Sequence, residues 1–329
     1  IMKKILITVA VLIGGGALAY YAGPKPEAPQ LTTPTFDIPS DPDSLENYIT
    51  EKEANTLGVK PGNEAEIIWA DSTRQKTPVA FVYIHGFSAS REEGAPVHEN
   101  LAKHFGGNLY LARLAGHGIE LGDSTMKNLT ADALINSAEE ALAIAKQLGN
   151  EVVIIGTSMG GALTTYLASN HSDLKAIVLY SPCIKVYDSN AELLDDPWGL
   201  QIAQQITGSK NRTYTPKNEL QPKFWSTNYR LEAVVALQNM LTHTMTDETF
   251  KKVTCPTFMA YYYKDEENQD KVVSVPAMKH MFETISTHAN KKEAMAFPET
   301  GDHVIASYVK SEDWETVQKE TVRFLEGIL

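Results

Sequence analysis

Cysteine is the scarcest resource in this sequence: 329 residues hold only Cys183 and Cys255. Two cysteines cannot build a zinc knuckle or a Cys-x-x-Cys redox pair, and none lies near the N-terminus to carry a lipid. Positive charge is also short. Lys and Arg number 29 against 41 Asp and Glu, for a net charge of -12. A nucleic-acid backbone calls for clustered cations, so that class of partner is excluded. No His-Glu-x-x-His occurs, and His98 and His104, six apart on one helix, face away from each other. Gly116-His117-Gly118 lacks the third glycine of a dinucleotide fingerprint, and there is no Gly-Lys-Ser/Thr phosphate loop. Neither a metal nor a cofactor is expected. No repeat with a period of roughly 20–50 residues is present, which sets aside solenoids and propellers.

What is there begins with an address. Lys3 and Lys4 lead an uncharged apolar run, Ile5 to Ala19, and Ala17-Leu18-Ala19 offers a small-x-small cleavage site. This pattern predicts a secretory signal. Retained, residues 5–22 would form a membrane anchor, short against the span of about 20 residues and weakened as a helix by Gly14-Gly15-Gly16. Either reading puts the folded part outside the cytoplasm, periplasmic or secreted. Residues 1–23 are thus assigned to signal or anchor. Residues 24–42 carry six prolines and read as an extended linker. The folded domain is placed at 43–329, and a hydrophobic content of 43% is ordinary for a globular chain.

The body alternates two patterns. Ala65–Ala70, Val79–Ile84, Asn108–Ala112, Glu151–Ile155, Ala176–Tyr180, Thr257–Tyr263 and Ala294–Phe297 read as strands. Several of them are apolar throughout, as strands buried on both faces of a parallel sheet are. Between them lie helical patterns. In 131–148, Leu134, Ala138, Ala141, Leu142, Ala145 and Leu148 recur at three and four, with Thr130 as N-cap and Gly149 as stop. Pro96–Phe105 is a second helix, closed by Gly106. This alternation means an α/β fold with a mainly parallel sheet. From about 183 to 252 it breaks into helical pieces without a strand, bearing Trp198, Phe224 and Trp225. Such an insertion sits over the C-terminal strand ends, where open α/β sheets bind ligands, and is expected to be a helical cap whose bulky residues line a substrate cavity.

Strand 151–155 runs into Gly156-Thr157-Ser158-Met159-Gly160-Gly161 and then into an apolar helix. This is Gly-x-Ser-x-Gly in a strand–turn–helix context. The serine has to occupy a strained turn that lifts its hydroxyl clear, and side chains at the glycine positions would crowd that turn. Ser158 is therefore the candidate nucleophile. Strand 79–84 ends in His85-Gly86-Phe87, so the N–H groups of Phe87 and Met159 are candidates for an oxyanion hole. His85, at a strand end before glycine, reads as a structural imidazole.

With these residues in view the chain resembles the α/β-hydrolase family, and within it the monoacylglycerol lipase and carboxylesterase branch. The resembling segments are His85-Gly86-Phe87, Gly116-His117-Gly118, the elbow at 156–161, Asp270-Lys271-Val272-Val273 and Gly301-Asp302-His303. The resemblance implies a triad in the order serine, acid, histidine. It points to His303 as base, over His280 and His288, and to Asp270 as acid. The long Lys264–Gln269 loop keeps Asp265 as the other candidate, and Asp302 is expected to be exposed. The implied activity is hydrolysis of carboxylic esters, such as monoacylglycerols or short and medium acyl esters. A small-molecule acyl ester is the expected partner, with the N-terminus as a route to membrane tethering. Two other classes remain: a serine aminopeptidase of the same fold, for which Glu192, Asp195 or Asp196 would hold the substrate amine, and a non-catalytic binding protein. The two thiols, at opposite ends of neighbouring strands, are expected to stay free.

Overall fold

The computed structural model describes residues 14–329. The signal-like run and its two lysines fall mostly on residues 1–13, outside the described residues. Residues 14–21 are helical, and no helix among the described residues is long and apolar enough to cross a membrane. Residues 24–40 carry no helix or strand, as their prolines dictate. They lie along the body: the Pro24 carbonyl accepts the Trp198 N–H at 2.8 Å, and the Gln30 N–H donates to Asp132 at 2.7 Å. The linker is a strap on the domain surface.

Helix α1, Pro42–Ala54, opens the domain with Asp41 accepting the Ser44 N–H and with Leu45 and Ile49 turned inward. Seven strands follow in the main sheet: β1 Glu66–Ile68, β2 Thr77–Ile84, β3 Asn108–Leu111, β4 Gly149–Thr157, β5 Ala176–Tyr180, β8 Thr257–Tyr261 and β9 Lys292–Ala296. Their order is β1-β3-β2-β4-β5-β8-β9, with β1 antiparallel and all other pairings parallel. Alternation along each strand sorts the core into two layers. Ala80, Val82 and Ile84 of β2 and Val152 and Ile154 of β4 join a layer with α3, Ala131–Leu148, and α4, Met159–Asn170. Val79, Phe81, Tyr83, Val153 and Ile155 face the other way, toward α2, Val97–His104, and α10, Trp314–Glu326. The Thr130 cap on α3 is present, accepting the Ala133 N–H at 3.1 Å.

The insertion between β5 and β8 carries α5, Gly199–Thr207, α6, Gln221–Phe224, α7, Leu231–Thr244, and α8, Asp247–Lys252. It also holds a two-stranded antiparallel sheet, β6 Asn211–Thr213 against β7 Asn228–Arg230. Each strand is three largely polar residues long, so no hydrophobic period announced them. Helix α7 packs into the body: Ala233, Ala236, Leu237, Met240 and Leu241 share the core layer of α3 and α4. Helix α9, Val275–Thr284, follows β8 and flanks the same layer. Cys183 and Cys255 are both free and buried.

Close packing under the β4–α4 turn dictates its glycines. A Cβ on Gly160 would overlap the Ile84 carbonyl, and one on Gly161 would stand 2.8 Å from Pro182 Cβ. Gly160→Ala is expected to cost about 3 kcal/mol, because backbone rather than a flexible side chain must yield. A denaturant midpoint equal to wild type would show that the turn can relax.

Candidate active site

Ser158 sits between β4 and α4 with φ 55° and ψ -117°, a strained conformation for a residue with a side chain. The turn is tied on both sides. Its N–H donates to the Tyr180 carbonyl at 2.9 Å, and its carbonyl accepts the N–H groups of Ala162 and Cys183 at 3.1 and 2.8 Å. Ser158 lines a cavity of about 840 Å³ between the sheet and the cap, a size suited to a small organic ligand.

His303 enters the same cavity from the loop after β9, where Gly301 takes φ +65°. Its Nδ1–H donates to Asp270 Oδ2 at 2.6 Å. Nε2, at the other end of the ring, is buried and has no partner among the described residues. Asp270 is 1% exposed, and the N–H groups of Val272 and Val273 hold its Oδ1 at 2.8 and 3.0 Å. This explains the Asp-x-Val-Val spacing: the two residues after Lys271 supply the amides that fix the carboxylate. Burial by itself would lower the His303 pKa. The Asp270 carboxylate outweighs it, with help from Asp302 and Glu93, and holds the ring above its ordinary value. Asp265 lies elsewhere, exposed on its loop, where it accepts the N–H groups of Glu267 and Asn268 at 2.9 and 2.7 Å. Asp302 differs from expectation. It is 8% exposed, because Lys217 of the cap reaches it at 2.8 Å and Lys310 at 3.5 Å.

Phe87 and Met159 both line the cavity beside Ser158. The Phe87 ring is fixed edge-on between His117 and Tyr229, with centroids at 5.5 and 5.4 Å. His85 points away. Its Nδ1–H donates to the Gly86 carbonyl at 2.9 Å and Nε2 accepts the Leu114 N–H at 3.1 Å, joining the ends of β2 and β3. Burial holds its pKa well below the ordinary value, so it stays neutral. His280 and His288 are exposed and remote from this cavity.

Of the three bulky cap residues, the structure brings only Trp225 to the cavity. Phe224 packs behind it, against a small cluster with Ala89, Val304 and Val309. Trp198 is 39% exposed on the outside of the cap, in the left-handed region, donating Nε1–H to the Ala19 carbonyl at 3.0 Å. The apolar wall comes instead from smaller residues: Val186, Leu194, Ala203, Ile206, Leu237 and Val272. Glu192, Asp195 and Asp196 do not reach the cavity. Glu192 pairs with Lys185, and Asp195 is buried against Asn239 at 2.7 Å. Four other carboxyl-bearing side chains do line it: Asp188 of the cap, Asp270, Asp302 and Glu93. Glu93 comes from the turn Arg91–Gly94, and nothing in its sequence neighbourhood singles it out.

A profile of the alpha/beta hydrolase family matches residues 81–308. A thermostable monoacylglycerol lipase of Bacillus sp. (strain H-257) is 35% identical over 109 residues, 33% of this chain and 42% of that protein. The match thus spans less than half of that relative's length. Among solved structures, one from a study of the metagenome-derived lipolytic enzymes LipS and LipT superposes with a TM-score of 0.64. It is 18% identical and covers 82% of this chain and 99% of that one. Paleococcus ferrophilus monoacylglycerol lipase superposes at 0.59, with 14% identity over 80% of this chain and 98% of its own.

Proposed function

The chain belongs to the alpha/beta hydrolase family, and from that premise we propose that it is a serine hydrolase of carboxylic esters working through an acyl-enzyme on Ser158. His303 Nε2 takes the hydroxyl proton as Ser158 Oγ attacks the acyl carbonyl. The Phe87 and Met159 amides receive the oxyanion, and Asp270 stabilises the imidazolium. His303 then returns the proton to the leaving alcohol. Water, activated by the same ring, releases the acid and restores the serine. The observation that carries this reading is the histidine: one ring nitrogen is fixed by a buried carboxylate while the other is buried without a partner among the described residues, on a residue that lines the same cavity as Ser158.

The substrate class follows from the cavity walls. The apolar cap wall suits an acyl chain, and the polar end, with Lys217, Lys310 and Asp302, suits a hydroxylated alcohol such as glycerol. The name of the Bacillus relative, a monoacylglycerol lipase, supports the same choice. The test is hydrolysis of p-nitrophenyl esters from acetyl to palmitoyl and of the matching glycerol monoesters. An optimum at short to medium chains, shared by both series, is the expected result. Cleavage of aminoacyl anilides with no turnover of any ester would overturn it in favour of a peptidase.

A further inference from the structure

Glu93 is 2% exposed, yet its carboxylate borders the cavity. It accepts the Gly86 N–H, and the Tyr83 hydroxyl donates to it at 3.3 Å. A Cβ built on Gly86 would meet Glu93 Oε1 at 2.7 Å and Ser158 Cβ at 3.0 Å, so this peptide is sandwiched between carboxylate and nucleophile. Gly86 directly precedes Phe87, whose amide is one of the two oxyanion donors in the reading above. His303 lies near enough that each group feels the other's charge.

We propose that Glu93 is a positioning residue acting through two neighbours: it holds the Gly86 peptide, and with it the Phe87 amide, beside Ser158, and it adds a further carboxylate, beyond Asp270 and Asp302, to the surroundings of the His303 ring. The proposal rests on the serine hydrolase reading for its effect on rate. The groups around Glu93 are Tyr83 and Gly86 from β2, His303 from the loop after β9, Lys310 from the segment before α10, and Tyr214 from the cap. Around His303 they are Asp270, Asp302 and Glu93. Burial pushes the Glu93 carboxyl up to about 7, against the pull of the Gly86 N–H, the His303 charge, the Tyr83 hydroxyl and Lys310. Glu93 and His303 therefore titrate together over the acid limb of the rate profile.

The experiment compares the full chain with Glu93→Gln and Glu93→Ala on a p-nitrophenyl ester, with Ser158→Ala as the background control. Gln keeps an oxygen for the Gly86 N–H and removes the charge. Its kcat/KM limb is expected to become a single ionisation displaced to lower pH by about half a unit, with kcat near wild type. Ala removes both functions, so the limb moves likewise and kcat falls about 10²-fold with KM little changed, as when an oxyanion donor is misplaced. A Glu93→Gln limb that superimposes on wild type would overturn the proposal. A merely structural Glu93 would not move that limb. If no ester is cleaved in a Ser158-dependent way, the hydrolase reading fails by itself. The His303 ring titration, followed by NMR without substrate, still decides on Glu93: a lower midpoint in Glu93→Gln supports it, and an unchanged one overturns it.

Discussion

Ser158→Ala should lower kcat for p-nitrophenyl esters by about 10⁵-fold or more, while the thermal midpoint moves by no more than about 2 °C. The large effect follows from the covalent step. Without the hydroxyl there is no acyl-enzyme, and only binding and the Phe87 and Met159 donors remain. The small effect follows from the turn. Its hydrogen bonds are made by the Ser158 backbone, which alanine retains, and alanine at φ 55° is no worse placed than serine. Wild type is expected to release a burst of p-nitrophenolate stoichiometric with the chain, absent from the variant, wherever deacylation is the slower half. Activity that survives in Ser158→Ala, at a rate within tenfold of wild type (about 1.4 kcal/mol of barrier), would remove the nucleophile from the scheme.

Much of this site was legible in the residues because its parts answer to local rules. The elbow needs its glycines for packing against Ile84 and Pro182, neighbours brought there by the strands on either side. The strand faces are written in alternation, so Val79, Phe81 and Tyr83 part from Ala80, Val82 and Ile84 with no knowledge of the fold. What stayed hidden depends on partners distant in sequence. Asp302 reads as a loop acid, but it is buried and paired with Lys217, 85 residues away in the cap. Trp198 and Phe224 were assigned to the cavity on bulk alone. Bulk does not say which way a side chain points, and Trp198 turns outward, bonding the carbonyl of Ala19 with its ring and that of Pro24 with its backbone N–H. Glu93 has no motif of its own. It matters because a turn folds it back onto Gly86, seven residues earlier. The β6–β7 sheet is held by pairing between two short polar segments, which no single-segment period can report.

Asp270→Asn should lower kcat by about 10⁴-fold, whereas Asp265→Asn should leave kcat within about twofold, as a substitution at an exposed residue that does not line the cavity does. The two acids were competitors in the sequence, and their surroundings separate them. Asp265 spends its oxygens on its own loop, bonding Glu267 and Asn268 in solvent. Asp270 spends one oxygen on the amides of Val272 and Val273 and the other on His303. In the Asn variant those two amides still claim the side-chain oxygen, so the NH₂ group is left facing His303 Nδ1. An NH₂ cannot accept the Nδ1–H. The ring must put its proton on Nε2 instead, and an Nε2 that carries a proton cannot take one from Ser158. Loss of the carboxylate also removes the charge that raises the His303 pKa. The residual activity should therefore reach its plateau at lower pH than wild type, a displacement that misfolding would not produce. An Asp265→Asn variant that loses activity as severely as Asp270→Asn would transfer the acid to the neighbouring loop.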